Sequence, residues 1–531
     1  MSKKWIILGL IMMMLGTLLA GCGGSSSKEQ TVRVYMGGEP ETLDPAKITG
    51  VPEGNYAQAM FEGLTEVDKD GLTVPAAAEK WDVSPDGLVY TFHLRANKWS
   101  NGEPVTAKDF EFAWKRLLKP ETAAEYSYML FPVKGAEAYN SGKGSVDEVG
   151  VKALDDNTLQ VTLEKPTAYF PSVCAHSSTY PVNQKIVEAN GDKWAGDVAT
   201  LIGNGPFKLT EWTHSSKLVM VKNDQYWDKD KVKLNKVEWL LVEEVATALS
   251  MFENNQLDYV DLPPMTEVER LKKENKLQFD KIEGSYYYEF NTKKAPFDNP
   301  KVRRAFAMAI DREAINKNVL HDVHKPLYAW VPYGFTNPVT KKDFREEGGD
   351  LFKGNVEEAK KLLAEAGYPD GKGLPPITLL YNTNENHKAI AEAIQEMWKK
   401  NLGVSVELQN QEWKVFLGTR KSGDYQVARA GWNADYTDPM TFGDYLLTGG
   451  GNNYGRYSNP AYDKLIATAQ STNDQAVRMQ AMHDADKIAM DDMAIAPIYS
   501  YSHYYCLNPK VKGLISPPTA ILNLKYITIQ D

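Results

Sequence analysis

The sequence predicts an α/β protein built from more than one domain. Short segments of period-two alternation interleave with amphipathic helical segments along the whole chain, which is the pattern of α/β folds. At 531 residues the chain exceeds what one hydrophobic core supports, so two or three domains are expected. No repeat or long polar linker separates the segments. The domains are therefore expected to interweave, and the Pro and Gly clusters near 263–264, 332–338 and 449–455 read as loops.

The elements follow in order. Residues 31–35 alternate polar and apolar as a half-buried strand does, and residues 89–94 and 159–163 repeat the pattern. Residues 107–118 read as a helix with Phe110, Ala113, Trp114 and Leu117 on one face. An apolar helical face over 302–310 runs up to Asp311. Residues 356–367 form a helix that stops at Gly367, with Pro369 just beyond. A second amphipathic helix covers 389–400 and a strand covers 404–408.

The N-terminus carries Lys3 and Lys4 and then an apolar run over residues 5–20. That run is short for the roughly 30 Å hydrocarbon core and reads as a secretory signal peptide over 1–21. Leu19-Ala20-Gly21-Cys22 resembles the cleavage site of bacterial lipoproteins, where the Cys22 thiol takes a lipid through a thioether. Gly23, Gly24, Ser25, Ser26 and Ser27 then make a flexible tether, so 22–31 is expected to be a lipidated leash. The formal charge is −10, and −12 once residues 1–21 are removed. That acidity, without a basic stripe, excludes nucleic acid as a partner. Cys174 and Cys506 are either a long-range pair or two buried thiols.

Signatures of catalysis are absent from the sequence. Residues 449–455 form a glycine-rich loop without the lysine that a nucleotide phosphate needs, and there is no nucleophile elbow or His-Glu-x-x-His pair. His321 and His324 would share a metal only if helical, and otherwise are two partly exposed histidines at a helix end. Cys174 and His176 share a face if their segment is a strand, but no orienting acid or amide is evident. No metal or cofactor is expected. The 28 Tyr and 12 Trp are generous, and several of them (Tyr286, Tyr287, Tyr288, Trp413, Trp432, Tyr436, Tyr504 and Tyr505) sit among polar residues. They are either core or the walls of a tolerant binding site.

From residue 31 onward the chain resembles the extracellular oligopeptide-binding proteins of ABC transporters, in solute-binding protein family 5. Thr42-Leu43-Asp44-Pro45, Phe61-Glu62-Gly63-Leu64, Trp99-Ser100-Asn101-Gly102 and Gln411-Glu412-Trp413 carry the resemblance. Arg429-Ala430-Gly431-Trp432-Asn433-Ala434-Asp435-Tyr436 is the most specific segment. The match favours the oligopeptide-binding subgroup over dipeptide or nickel binders.

The resemblance implies a two-lobed periplasmic-binding-protein-like (class II, flytrap) fold with an extra subdomain on lobe I. It divides the chain into 32–61, 184–283 and 503–531 as the lobe I core, 62–183 as the extra subdomain, and 284–502 as lobe II. It places Asp435 at the ligand's ammonium, and Arg429, Arg420 and His387 where the C-termini of peptides of different length arrive. Gly431 and Asn433 on one lobe and Val51 on the other would offer main-chain groups, while Trp432, Trp413, Tyr126 and Tyr287 would wall the pockets. Thr49 replaces a cleft glutamate of close relatives, which weakens any taste for basic side chains. Gly284 and Asn433 replace a cysteine pair.

The implied partners are short peptides, permease subunits with their ATPases, and the membrane through the lipid on Cys22. The protein is expected to be a monomer at the outer face of the cell membrane and not an enzyme. A narrower receptor for murein or signalling peptides is the alternative, and a secreted hydrolase the third reading.

Overall fold

The alternating segments sort into two large sheets, a four-stranded sheet and three two-stranded ribbons among the described residues. The computed structural model describes residues 30–530, so the signal peptide, Cys22 and most of the tether lie outside the described residues. The first sheet has seven strands in the order Phe207–Thr213, Lys217–Lys222, Lys236–Leu241, Thr31–Gly37, Tyr259–Asp261, His503–Leu507 and Leu277–Asp280. Thr31–Gly37 runs parallel to both neighbours, and the remaining pairings are antiparallel.

The second sheet has six strands in the order Lys325–Pro326, Ile495–Ser500, Gly284–Phe290, Val427–Asn433, Ile377–Asn382 and Val406–Gln411. A four-stranded antiparallel sheet (Ala78–Val83, Val89–Leu94, Thr158–Thr162, Val151–Asp155) stands apart. It packs with the Ala107–Leu118 helix, whose Phe110, Ala113, Trp114 and Leu117 are buried as their spacing predicts. Asp109 fixes the start of that helix by accepting the Thr106 N–H at 2.8 Å.

The chain crosses between the two large sheets after Leu277–Asp280 and again after Ile495–Ser500, through the short segments 281–283 and 501–502. The crossings are stitched together: Tyr501 N donates to the Gly284 carbonyl at 2.9 Å, and Ala434 N to the Glu283 carbonyl at 2.7 Å. Two short adjacent strands of chain of this kind make a hinge between two lobes.

Several elements depart from the sequence reading. The second amphipathic helix is Glu385–Leu402, because Asn384 caps it by accepting the Asn386 and His387 N–H groups. His387 therefore lies in its first turn. The 302–310 helix is Pro300–Met308, and Asp311 instead caps the next helix by accepting the Ala314 N–H at 2.9 Å. The 404–408 strand is Val406–Gln411.

Cys174 and His176 do not share a strand: Cys174 ends the short helix Phe170–Val173, and His176 precedes the turn Ser177–Thr179. His321 lies in a turn at φ +50°, whereas His324 is buried, stacked on Tyr499 at 4.2 Å with Nδ1 accepting the Ser502 N–H. They are not a pair at a helix end. Cys174 and Cys506 are two buried free thiols in different hydrophobic clusters.

Candidate functional site

The Val427–Asn433 strand builds one wall of the cleft between the lobes. Along one edge it pairs with Gly284–Phe290 over its full length. Along the other it pairs with Ile377–Asn382 only at Val427 and Ala428. The main chain from Arg429 to Asn433 therefore presents an unpaired edge inside the cleft. Thr49, Gly50 and Val51 face it from lobe I, at the start of the Val51–Met60 helix. Two cavities of about 100 and 230 Å³ share Thr49, Gly50, Val51, Gly431, Trp432 and Asn433.

Asp435 lies in the smaller cavity. Its carboxylate accepts from the Tyr126 hydroxyl at 3.1 Å and the Thr441 hydroxyl at 3.3 Å. Its one ion-pair candidate among the described residues is His176 Nε2 at 3.6 Å. Burial raises the Asp435 carboxyl to about 8 and lowers His176 to about 4, so neither supplies charge for the other near neutral pH.

Arg429 lies in the larger cavity. It donates to Asn382 Oδ1 at 3.3 Å and the Tyr501 hydroxyl at 3.1 Å, over the Tyr286 ring at 4.8 Å. Its partners are all neutral and its Nε is unsatisfied. His387 stands beside it, with Nδ1 3.4 Å from the Tyr286 hydroxyl; burial and the Arg429 charge keep it neutral.

Arg420 differs from Arg429. It also lines the larger cavity, but its guanidinium is held by buried Glu289 at 3.1 Å, and Glu289 also accepts from Tyr425 and Tyr445 at 2.8 Å. Its charge is therefore already compensated. Tyr287 is not a wall of either cavity, which corrects the sequence reading. The Gly284–Phe290 strand is buried throughout, and Tyr287 is shut behind it, donating to the Tyr445 hydroxyl at 2.6 Å and packing on Trp330. Tyr286 and Tyr288 are core for the same reason.

Tyr126, Trp432 and Trp413 do line the cavities. Tyr126 stacks on Trp432 at 6.1 Å with the His176 ring tilted against it at 4.6 Å, and Trp432 packs against Tyr445 at 4.6 Å. Trp413 Nε1 donates across the cleft to Glu53 Oε1 at 3.1 Å. Gly431 has no room for a side chain, because a Cβ there would lie 2.4 Å from the Tyr501 hydroxyl. Gly284 and Asn433 are direct cross-strand neighbours. Thr49 Oγ1 is buried without a partner.

Tyr501 and Glu289 are site residues that the sequence reading did not single out, and His176 is one that it singled out in another role. His176 is paired there with the wrong neighbour, Cys174, and no local pattern marks the other two.

A cleft between two hinged lobes, an open strand edge, and a carboxyl and a guanidinium without charged partners at its two ends define a two-lobed solute-binding protein. Comparison with known proteins specifies the family. The chain belongs to family 5 of the bacterial extracellular solute-binding proteins, whose middle region matches residues 73–454.

It is 42% identical to the dipeptide-binding protein DppE of Bacillus subtilis over 542 residues, covering 99% of this chain and 98% of that protein. The structure of Haemophilus influenzae OppA in complex with RPPGFSPFR matches with a TM-score of 0.89 at 37% identity, over 95% of this chain and 100% of that one. The unliganded open form of the periplasmic murein tripeptide binding protein MppA covers 95% of this chain and 98% of its own at the same 37% identity, yet gives only 0.63. The lobes here are thus arranged as in the complex rather than as in the open form.

Proposed function

We propose that this protein captures short peptides between its lobes and hands them to an ABC-type importer. One observation carries the reading: a buried carboxyl, Asp435, and a buried cation, Arg429, each without a charged partner, flank one unpaired strand edge, and a ligand ammonium would draw the carboxyl into its ionised form. A peptide zwitterion is the ligand that satisfies all three at once. Its ammonium meets Asp435, its carboxylate meets Arg429 with His387 beside it, and its main chain pairs with Gly431 and Asn433 and reaches toward Val51. Because the contacts go to backbone and termini, affinity tolerates varied side chains, which face Trp432, Trp413, Tyr126 and Thr49. Arg420, neutralised by Glu289, has a smaller part than Arg429.

The domain partition given above is proposed on the sheets, since the seven-, six- and four-stranded sheets each draw their strands from one proposed region. Cys22 is proposed as the lipid anchor at the outer face of the membrane, with permease and ATPase subunits as partners of a monomer. The leash would raise the local concentration of the binding protein at its permease. No catalytic role and no cofactor is proposed. Among the described residues no cluster of His, Cys, Asp and Glu is placed to hold a metal.

A murein-peptide receptor is the second reading. It is favoured by the family relationship to the murein tripeptide binding protein MppA. Native mass spectrometry of protein purified from cells tests both, because a ligand enclosed by two lobes co-purifies. Intact peptides of mixed sequence support general capture, a single murein peptide supports the second reading, and cleaved products refute both.

A further inference from the structure

The cavity that holds Asp435 continues past Thr49 into lobe I. Ile48, Val51 and Ile521 give it apolar walls, and Glu66 lies along the same cavity with Gln58 and Asn523. Glu66 sits on the short strand Thr65–Val67, partly exposed, with Oε2 accepting from Asn523 Nδ2 at 3.2 Å. Behind it the charges do not balance. Glu62 is fully buried, accepting from Tyr226 and from Trp227 Nε1 at 2.7 Å. Asp228 pairs with buried Lys525 at 2.9 Å and with exposed Lys231 at 3.2 Å. Three carboxylates thus share one buried ammonium. In agreement, burial raises both Glu66 and Glu62, the latter to about 7, with Lys525 opposing the rise in each.

We propose that Glu66 makes this cavity select a basic side chain, lysine or arginine, on the first residue of the bound peptide. This rests on the peptide reading above. If the ammonium sits at Asp435, the side chain on the same carbon enters the same cavity. A lysine or arginine lays its methylene stem along Ile48, Val51 and Ile521 and brings its cation to a carboxylate that the fold leaves short of positive charge. Thr49 adds no carboxylate of its own, but the selection it seemed to give up is restored from the neighbouring strand.

Calorimetry on the ligand-stripped whole protein tests this with Lys-Ala-Ala, norleucine-Ala-Ala and Ala-Lys-Ala. Norleucine fills the apolar walls but carries no cation. Wild-type protein is expected to bind Lys-Ala-Ala roughly tenfold more tightly than norleucine-Ala-Ala, as a charge-assisted contact gives. Glu66→Gln is expected to erase that ratio while keeping its affinity for norleucine-Ala-Ala, which also shows the variant is folded. Equal affinity for lysine and norleucine in the wild type overturns the proposal without any variant. So does a lysine preference that survives in Glu66→Gln, or tighter binding of Ala-Lys-Ala. Failure of all three peptides to bind instead contradicts the peptide reading itself.

Discussion

Asp435→Asn keeps the shape of the cleft and removes one charge. In the wild type a ligand ammonium would be buried against a carboxylate whose other partners are neutral or weakly basic. Removing one partner of a buried ion pair typically costs about 3–5 kcal/mol. The wild-type carboxylate also bears a cost, since burial raises it to about 8. Ionising a group of that pKa at pH 7 costs on the order of 1.4 kcal/mol, which offsets part of the gain. The net loss expected is that of one hydrogen bond to a charged group, about 2–3 kcal/mol or 30- to 150-fold in Kd. Isothermal calorimetry with tri-alanine and N-acetyl-tri-alanine measures it. The free peptide should lose this factor in Asp435→Asn, while the acetylated peptide, already weak, should change less than about threefold. Equal losses for the two would refute the role of Asp435.

Other outcomes follow from the same geometry. The raised Asp435 pKa belongs to the closed, empty cleft, so that state binds a proton that the open state releases. Empty protein should therefore close more readily as pH falls from 8 toward 6.5, above the range where the lowered pKa values of His176 and His387 oppose closure; small-angle scattering reads this as a shrinking radius of gyration, and no change over that range contradicts it. Arg429→Gln should weaken free tripeptides by about 10- to 100-fold and C-terminal amides far less, measured by calorimetry. Gly431→Ala forces a methyl onto the Tyr501 hydroxyl and should cost about 1–3 kcal/mol of binding, part of which Tyr501→Phe recovers in the double variant. Lys421 reaches across the cleft to Glu41 at 2.6 Å and Glu125 at 3.2 Å, so Lys421→Met should raise the ligand off-rate a few-fold at low salt and little at high salt in stopped-flow traces.

Much of the fold was legible because its signals are local. The Ala107–Leu118 helix follows from its own spacing, and the Thr31–Gly37 and Val89–Leu94 strands from their alternation. The end of the helix at Gly403 and its start at Asn384 are also local signals, but the start was missed because the cap lies beyond the apolar repeat. Site residues were legible as a group, through the Arg429 to Asp435 segment, but their roles were not. Arg420 and Arg429 look alike in sequence, and what separates them is Glu289, remote in the chain and paired with only one of them. Tyr287 read as a wall because three tyrosines in a polar context do not reveal that their strand is covered on both faces. His176 reaches Asp435 only through tertiary packing of segments remote in the chain, which no spacing encodes.

The open edge from Arg429 to Asn433 is the centre of the account, and a crystal structure with a bound tripeptide tests it most directly. The ligand is expected as an added strand, its ammonium about 2.8 Å from the Asp435 carboxylate and its main chain hydrogen-bonded to Gly431 and Asn433, with its carboxylate at Arg429. A peptide bound in the reverse direction, or one held by its side chains while that edge stays unpaired, would contradict it.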